Sequence, residues 1–228
     1  MCVTPRQSSN ATTMETGLPL IPDHLSKESS PPHQSICPSP TGSLPSEDLD
    51  FSHGRGVDRS QVMALAGNQW VKSHHNILVA GPTGAGKSYL ACALAQKACR
   101  DGHSVLYQRV PRLLQEIEVS RLDGRYNKLI APINKCEVLI LDDLLISPVS
   151  RDEQRELLEI VEERYERKAT VITSQLPVKA WHDAMQDPTL ADAILDRLVH
   201  NAYKLELKGE SMRRKRSVFD RKAGTVTE

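Results

Sequence analysis

The pattern of apolar and polar positions changes near residue 47. Before it, residues 1–46 are rich in Ser, Pro and Thr, with SSPPHQSICPSPTGSLPS at their centre, and show neither helical nor alternating apolar periodicity. This composition predicts a disordered tail, with a Pro-rich peptide docking segment as the alternative. Apolar runs and amphipathic stretches recur over residues 47–216, which predicts one folded domain, and residues 217–228 are expected to form a flexible tail.

Short apolar runs alternate with amphipathic segments through this domain. Strands are predicted at residues 76–80 (NILVA), 105–109, 137–141 (EVLIL) and 170–173. Helices are predicted before and between them, at residues 57–73, 88–100, 111–122 and 150–167. A helix at 190–199 and a short strand at 203–207 follow. This alternation indicates an α/β fold with a mostly parallel, doubly wound sheet flanked by helices.

The turn between the first strand and the next helix reads GPTGAGKS, from Gly81 to Ser88. A phosphate loop needs backbone N–H groups directed at phosphate oxygens, and glycines allow conformations and a close approach that a β-carbon obstructs. Lys87 is expected to reach the β and γ phosphates of ATP, and the Ser88 hydroxyl to coordinate Mg²⁺. The N-terminus of the following helix adds a favourable dipole. The segment therefore predicts a P-loop ATPase with ATP and Mg²⁺ as cofactors.

Two acids, Asp142 and Asp143, directly follow the apolar run EVLIL. The end of a parallel strand lies at the carboxyl edge of the sheet, beside the phosphate loop. Asp142 is expected to hold the magnesium shell, and Asp143 to polarise or deprotonate the attacking water. The alternative is a pair of solvated acids that end a strand.

Polar residues also follow the fourth strand, at Thr173, Ser174 and Gln175. A side chain there can sense the γ phosphate or orient water, whereas capping of the strand end is the alternative. Arg197 and Arg213 are candidate cations for the γ phosphate, one of them in a neighbouring subunit. An isolated arginine has such a role in a minority of cases.

The charge balance and the lengths of the apolar runs limit which classes of binding partner are expected. Lys and Arg number 29, as do Asp and Glu, so the chain has no overall basic field for nucleic acid. The basic run RRKR at residues 213–216 is either a phosphate-backbone contact or a solvated terminus. No apolar run approaches the roughly 20 residues that cross a bilayer, and no secretory signal is evident. A cytoplasmic protein without membrane partners is expected.

Metal-binding motifs are absent from the sequence. The five cysteines include no Cys-x-x-Cys pair and have no histidine partner at metal spacing, so they are interpreted as thiols. Cys92 and Cys99 lie seven residues apart on one predicted helix, where small core-facing side chains are the simpler interpretation.

Longer segments of residues 47–216 closely resemble the IstB-like ATP-binding proteins, AAA+ helpers encoded beside the transposase in bacterial insertion sequences. The resemblance rests on NILVAGPTGAGKSYLACALAQKACR, VLYQRVPRLLQEIEVSRLDGRYNKL, VLILDD and VITSQLPVKAWHDAMQDPTLADAILDRLVHNAYKLELKGESMRR. It implies an AAA+ P-loop fold with a small helical lid and an ATPase core shared with DnaC-like helicase loaders. It also implies a homo-oligomer that forms on ATP and duplex DNA, and delivery of target DNA to the transposase of the same element.

The resemblance assigns roles to individual positions. It places Gly81 to Ser88 in the Walker A motif, Asp142 and Asp143 in Walker B, and Ser174 in the sensor-one region. Arg197 matches the arginine finger of helicase-loader relatives, and Arg213 their second sensor. The expected ATP-binding set is Gly81, Pro82, Thr83, Gly84, Ala85, Gly86, Lys87, Ser88 and Tyr89, with Ser88 and Asp142 holding the metal.

The chain departs from the family pattern in two places. Family members usually carry a helical N-terminal region, thought to assist DNA binding or assembly, where this chain has its Ser/Pro-rich stretch. The sequence LLIS stands after the Walker B acids in place of a Trp-Gly-containing continuation. The first departure weakens the expectation of DNA binding more than that of ATP binding, and the second leaves both acids intact.

These observations favour an ATPase that assists a transposase in selecting and delivering target DNA. A helicase loader that binds single-stranded DNA and a replicative helicase is a second hypothesis. An ATP-binding interaction protein without productive assembly is a third, although the presence of Lys87 and both acids argues against a dead active site. A nucleotide kinase is disfavoured because no acceptor pocket or lid signature is evident.

Overall fold

The chain is described by a computed structural model, which places residues 59–209. The predicted tails at 1–46 and 217–228, the basic run at 213–216 and Arg213 lie outside these residues. The elements in chain order are α1 (Arg59–Ala66), α2 (Gln69–Lys72), β1 (Asn76–Ala80), α3 (Lys87–Arg100), β2 (Val105–Arg109), α4 (Val110–Leu122), α5 (Tyr126–Lys135), β3 (Val138–Leu144), α6 (Arg151–Arg164), β4 (Ala169–Ser174), a 3₁₀ turn (Val178–Ala180), α7 (Pro188–Val199) and β5 (Ala202–Glu206).

The five strands form one parallel sheet in the order β2-β3-β4-β1-β5. This confirms the parallel α/β sheet that the apolar runs predict. In this order β1 lies between β4 and β5, and β3 lies between β2 and β4. The carboxyl ends of β1, β3 and β4 therefore meet at one edge of the sheet, where parallel α/β proteins bind their ligands.

The side chains of the core strands point alternately into two apolar layers, one on each face of the sheet. Ile77, Val79 and Ile140 pack with α1, α2 and α3 on one face of the sheet. Leu78, Leu139 and the helices α4 to α7 form the layer on the other face. Burial on both faces explains why these strands are continuously apolar in sequence.

The helix predicted at residues 57–73 is interrupted. Asn68 adopts a left-handed conformation with φ of 55°, so α1 ends at Ala66 and α2 begins at Gln69. Trp70 is buried and its indole N–H donates to the carbonyl of Leu65, 2.9 Å away, which closes the break. The prediction of one continuous helix is therefore wrong.

Two further boundaries differ from the prediction. Strand β3 continues through both acids to Leu144, with an irregularity in its pairing between Leu141 and Leu144. Helix α6 ends at Arg164 rather than at residue 167, and a capping box of Ser150 and Glu153 begins it. Helix α5 was not predicted, because Ile133 is its only fully buried side chain and Pro132 interrupts its pattern.

The buried side chains of the helices among residues 59–209 belong to one or other of the two core layers. No helix in the same region is long and apolar enough to cross a bilayer.

Cys92 and Cys136 are buried and Cys99 is half-buried, and none of these three thiols forms a disulfide.

Candidate functional site

The glycine-rich turn joins the end of β1 to the start of α3. Gly81, Gly84 and Gly86 have φ of 148°, 82° and 98°, a region that favours glycine. A β-carbon on Gly81 would lie 2.4 Å from the carbonyl oxygen of Leu207, the residue after β5. Glycine is therefore required at position 81 both by the backbone conformation and by the neighbouring chain.

The first turn of α3 is left open for an anion. Its N-cap is Gly86, no side chain caps it, and its first turn contains no acidic residue. The unpaired N–H groups and the helix dipole at this end favour a negatively charged ligand. Together with the left-handed glycines, this end of α3 has the geometry of a phosphate cradle.

Lys87, the first residue of α3, is buried against the loop. Its ammonium group donates to the carbonyl of Pro82, 3.0 Å away. Burial lowers the pKa of Lys87, while the negative charges of Asp143 and Asp142 oppose that shift. A ligand phosphate can replace the Pro82 carbonyl as acceptor and would supply the charge compensation that burial removes.

Asp142 is buried at the carboxyl end of β3 and accepts hydrogen bonds from three hydroxyls. Ser88 donates to Oδ1 over 2.9 Å, Tyr107 donates to Oδ2 over 2.6 Å, and Thr173 also donates to Oδ1. These bonds satisfy a carboxylate that is only 3% exposed. The structure thus joins Ser88 and Asp142, which lie 54 positions apart in the sequence.

The Ser88 hydroxyl and the Asp142 carboxylate suit Mg²⁺, which prefers hard oxygen ligands. Residues 59–209 contain no cluster of three or more His, Cys, Asp or Glu side chains able to hold a metal. A site with one carboxylate and one hydroxyl fits a magnesium ion that takes its remaining ligands from phosphate and water. The two predicted metal ligands are therefore chemically and spatially compatible with that ion.

Asp143 lies beside Asp142 but has different partners. Its φ is 63°, and its backbone N–H donates to the Thr173 hydroxyl over 3.0 Å. Its Oδ2 accepts from Nη2 of Arg109 at 2.6 Å. A cavity of about 70 Å³ adjoins Asp143, with room for water.

The polar residues at the end of β4 and directly after it contact different partners. Ser174 is fully buried; its hydroxyl donates to the carbonyl of Leu144 over 2.7 Å and accepts from the backbone N–H of Leu176. Thr173 contacts both acids, and Gln175 accepts a hydrogen bond of 2.8 Å from Thr83 of the phosphate loop. The geometry at Ser174 is that of strand-end capping, and its sensor role stays a prediction.

Arg197 does not join the site of its own chain. Its guanidinium contacts Glu162 and the carbonyl of Ala193, and its backbone carbonyl accepts a hydrogen bond from the side chain of Asn76. Asn76 begins β1, whereas the phosphate loop follows the other end of that strand. Arg197 therefore lies at the opposite edge of the sheet from Lys87.

Tyr107 and Arg109 are functional candidates that the sequence reasoning missed. They lie two positions apart on β2 and contact Asp142 and Asp143, respectively. The available signal was the alternation in VLYQR, which places both side chains on one face. It could be used only with the knowledge that β2 pairs with β3, and sequence order does not give that neighbour.

Comparisons with known proteins agree with this geometry. The family described as "IstB-like ATP binding protein" matches residues 43–219. The insertion sequence ATP-binding protein y4pL of Sinorhizobium fredii is 54% identical over 168 residues, which are 74% of this chain and 69% of y4pL.

Solved structures with a similar fold include DnaI and the DnaC helicase loader. DnaI has a TM-score of 0.61 and 26% identity, over 72% of this chain and 95% of DnaI. The DnaC helicase loader has a TM-score of 0.58 and 20% identity, over 65% of this chain and 87% of DnaC. The parallel sheet and its flanking helices are therefore an AAA+ P-loop fold.

Proposed function

Because the chain belongs to the family of IstB-like ATP-binding proteins, we propose that its phosphate loop binds ATP with Mg²⁺ and that the chain hydrolyses it. The observation that carries this proposal is the contact between the Ser88 hydroxyl, in the first turn of α3, and the Asp142 carboxylate, near the end of β3. Phosphate-binding, cationic and metal-binding groups are thereby brought to one edge of the sheet. The residues that bind the nucleotide are Gly81, Pro82, Thr83, Gly84, Ala85, Gly86, Lys87, Ser88 and Tyr89.

Each group has a separate chemical task. The loop N–H groups and Lys87 bind phosphate oxygens, and Lys87 leaves the Pro82 carbonyl to do so. Ser88 and Asp142 hold the magnesium ion, whose chemistry is to neutralise charge on the phosphates. Asp143 accepts a proton from, or orients, the attacking water.

Polar and cationic residues complete the proposed reaction centre. Gln175 is tied to Thr83 of the loop, so a change at the phosphates can reach the end of β4. The Ser174 hydroxyl donates to the carbonyl of Leu144 at the end of β3, and Ser174 is proposed as part of the sensor region. Arg197 lies on the opposite edge, so it acts in the site of a neighbouring copy, and Arg213 is proposed as a second cation for the γ phosphate.

The biological role proposed for this ATPase is assistance to a transposase in selecting and delivering target DNA. The support is the relative y4pL, which is an insertion sequence ATP-binding protein and aligns with most of the folded domain. The proposed partners are a transposase of the same element, duplex DNA, and further copies of this chain. ATP-bound copies assemble on DNA, and hydrolysis releases them.

A helicase loader in DNA replication is the second candidate. Its support is the fold that the chain shares with the DnaC helicase loader, a likeness of fold alone. Identity of 54% to an insertion sequence protein favours transposition more strongly. A loader is expected to respond to single-stranded DNA and a replicative helicase, whereas the transposition helper is expected to respond to duplex DNA.

Steady-state ATP hydrolysis tests these proposals. Wild type and Lys87→Ala are assayed alone, with long duplex DNA and with single-stranded DNA, at low and moderate salt. Stimulation by duplex DNA, with loss of turnover in Lys87→Ala, supports the DNA-coupled ATPase. Stimulation by single strands alone favours the loader, and ATP binding without turnover favours an interaction protein that does not hydrolyse ATP.

A further inference from the structure

A groove with exposed lysines lies beside α7, on a surface that the proposed ATP site does not use. It has a volume of about 570 Å³ and is bounded by the 3₁₀ turn, the second half of α7 and strand β5. Val178, Leu195 and Val199 line it and are partly buried against the core layer that includes α4 to α7. Lys179 and Lys204 also line it and are exposed. This α7 groove therefore combines an apolar floor with a cationic rim.

The two lysines of the α7 groove lack acidic partners. Within residues 59–209, neither Lys179 nor Lys204 forms a hydrogen bond or an ion pair. In the same part of the chain Asp196 is the one acid that lines the groove, and its carboxylate lies 3.9 Å from the guanidinium of Arg197. His182, another lining residue, contacts the carboxylates of two exposed acids. An occupant with acidic side chains would supply the charges that the two lysines lack.

A short segment of this chain has the complementary composition. Residues 47–51 read EDLDF, with three acids, two large apolar side chains and no base. The acids of residues 1–46 are scattered singly, and the run RRKR makes residues 210–228 basic. Outside residues 59–209, EDLDF is therefore the segment whose charge and apolar content best match the α7 groove.

The segment EDLDF also precedes a helix that begins close to this groove. Gln61, Ala64 and Leu65 of α1 line a smaller cavity, of about 230 Å³, against β5. Lys204 lines this cavity as well as the α7 groove, so the two are neighbours at β5, the outer strand of the sheet. Residues 52–58, which connect EDLDF to α1, can span at most about 25 Å. That length is sufficient to pass the edge of one strand.

We propose that the α7 groove is the docking site for residues 47–51 of the same chain. The three acids lie against Lys179 and Lys204, and Leu49 and Phe51 cover the apolar floor. Exposed ion pairs contribute little affinity, so burial of the two apolar side chains supplies most of it and the charges select this segment. The inference does not depend on ATP binding, because the groove contains none of the proposed nucleotide-binding residues.

Photochemical cross-linking of the full chain tests the docking. In one protein Phe51 is replaced by benzoylphenylalanine, and in a control protein Leu20, an apolar position away from the three acids, is replaced in the same way. After irradiation without nucleotide, mass spectrometry of a proteolytic digest identifies the attachment points. Position 51 should cross-link mainly to residues 178–204, whereas position 20 should show no such preference. Mixing ¹⁵N-labelled and unlabelled copies separates links within one chain from links between copies.

Charge reversal tests the contribution of the two lysines. Lys179→Glu/Lys204→Glu should lower the yield of these cross-links at least about fivefold, because attractive charge pairs become repulsive. The matched control, Lys128→Glu/Lys135→Glu, makes the same change of charge on α5 and should leave the yield unchanged.

A charge swap distinguishes lost docking from a damaged fold. Adding Glu47→Lys/Asp48→Lys/Asp50→Lys to the groove reversal should return the yield to within about twofold of wild type, because the pairs form again with their signs exchanged. Failure of this swap to restore the cross-links would contradict the proposed pairing.

Other outcomes would also overturn the inference. Cross-links from position 51 to surfaces away from the groove, such as the basic run 213–216, would show that the segment binds elsewhere. Links found only between labelled and unlabelled copies would exclude docking within one chain. If position 51 does not reach the groove and Lys179→Glu/Lys204→Glu instead loses affinity for duplex DNA, the groove binds phosphate backbones. None of these results alters the proposal of an ATPase, which Lys87→Ala tests separately.

Discussion

Asp142 shows how a single buried carboxylate is kept ready for a cation. Its three hydroxyl donors satisfy both oxygens, but hydroxyls are neutral, so they leave the negative charge of the carboxylate uncompensated. A guanidinium in their place would neutralise that charge and compete with a metal ion. The arrangement therefore suits the proposed role of Asp142 in binding a divalent cation.

Tyr107→Phe isolates the contribution of one of these donors. Burial and the hydrogen bond to Asp142 raise the pKa of the Tyr107 phenol, so it remains a protonated donor across the accessible pH range. Its loss is expected to cost about 1 kcal/mol of unfolding free energy. It should also raise the Mg²⁺ concentration for half-maximal hydrolysis several-fold, because Asp142 is less well oriented.

Magnesium titrations of hydrolysis and chemical denaturation measure these two effects. The control is Tyr203→Phe, since Tyr203 lies on β5 and its side chain is partly exposed. Equal magnesium dependence in Tyr107→Phe and wild type would show that Tyr107 does not orient Asp142.

At the scale of elements, a buried arginine joins one helix to the starts of two strands. The Arg164 side chain, at the end of α6, donates to the carbonyls of Ile133, Cys136 and Ala169 at 2.7, 3.1 and 2.7 Å. Burial lowers its pKa. The negative end of the α5 dipole, close to the Ile133 carbonyl, offsets part of the cost of burying this charge.

Arg164→Ala should therefore destabilise the domain strongly. It removes a donor from several buried carbonyls and opens a cavity, which together are expected to cost about 3 kcal/mol or more. Arg167→Ala is the matched control, because Arg167 is exposed and pairs only loosely with Glu163, so a change of about 0.5 kcal/mol or less is expected. Urea denaturation measures both, and similar midpoints for the two variants would contradict the structural role of Arg164.

The same elements show what the sequence can and cannot specify. Apolar runs located the strands because burial on both faces leaves a continuous local signal, as in NILVA. The phosphate loop and Asp142 could be predicted because the pattern of each is local in the sequence, at the end of a single strand. Tyr107 and Arg109 were missed because their roles depend on which strand lies beside β3, and α5 because its buried surface is small.

Across the whole domain, the phosphate loop and Arg197 lie at opposite ends of β1. One copy therefore cannot supply Arg197 to its own phosphate loop, and assembly of copies is needed if this arginine contributes to hydrolysis. Arg197 is paired with Glu162, and this contact would have to break for Arg197 to reach the site of a neighbouring copy.

Mixing two inactive variants tests this arrangement. Lys87→Ala removes the phosphate-binding cation but keeps Arg197, whereas Arg197→Ala keeps an intact phosphate loop. If Arg197 acts across a subunit interface, the mixture should hydrolyse ATP faster than either protein alone. Arg155→Ala, a surface control on α6, should retain wild-type turnover. A mixture no faster than the sum of its components would contradict action between subunits.

The proposed ATP site is the loop from Gly81 to Tyr89, which binds ATP through Lys87, with magnesium at Ser88 and Asp142. Calorimetric titration of ATP, with and without Mg²⁺, into wild type, Lys87→Ala and Lys97→Ala tests it most directly. Lys97 lies on the same helix and pairs with Asp101, away from the loop. ATP binding should depend on magnesium and should be weakened at least about tenfold in Lys87→Ala, because a buried charge-assisted contact is lost. Lys97→Ala should bind ATP as wild type does. Equal ATP affinity in wild type and Lys87→Ala would contradict the proposed ATP site.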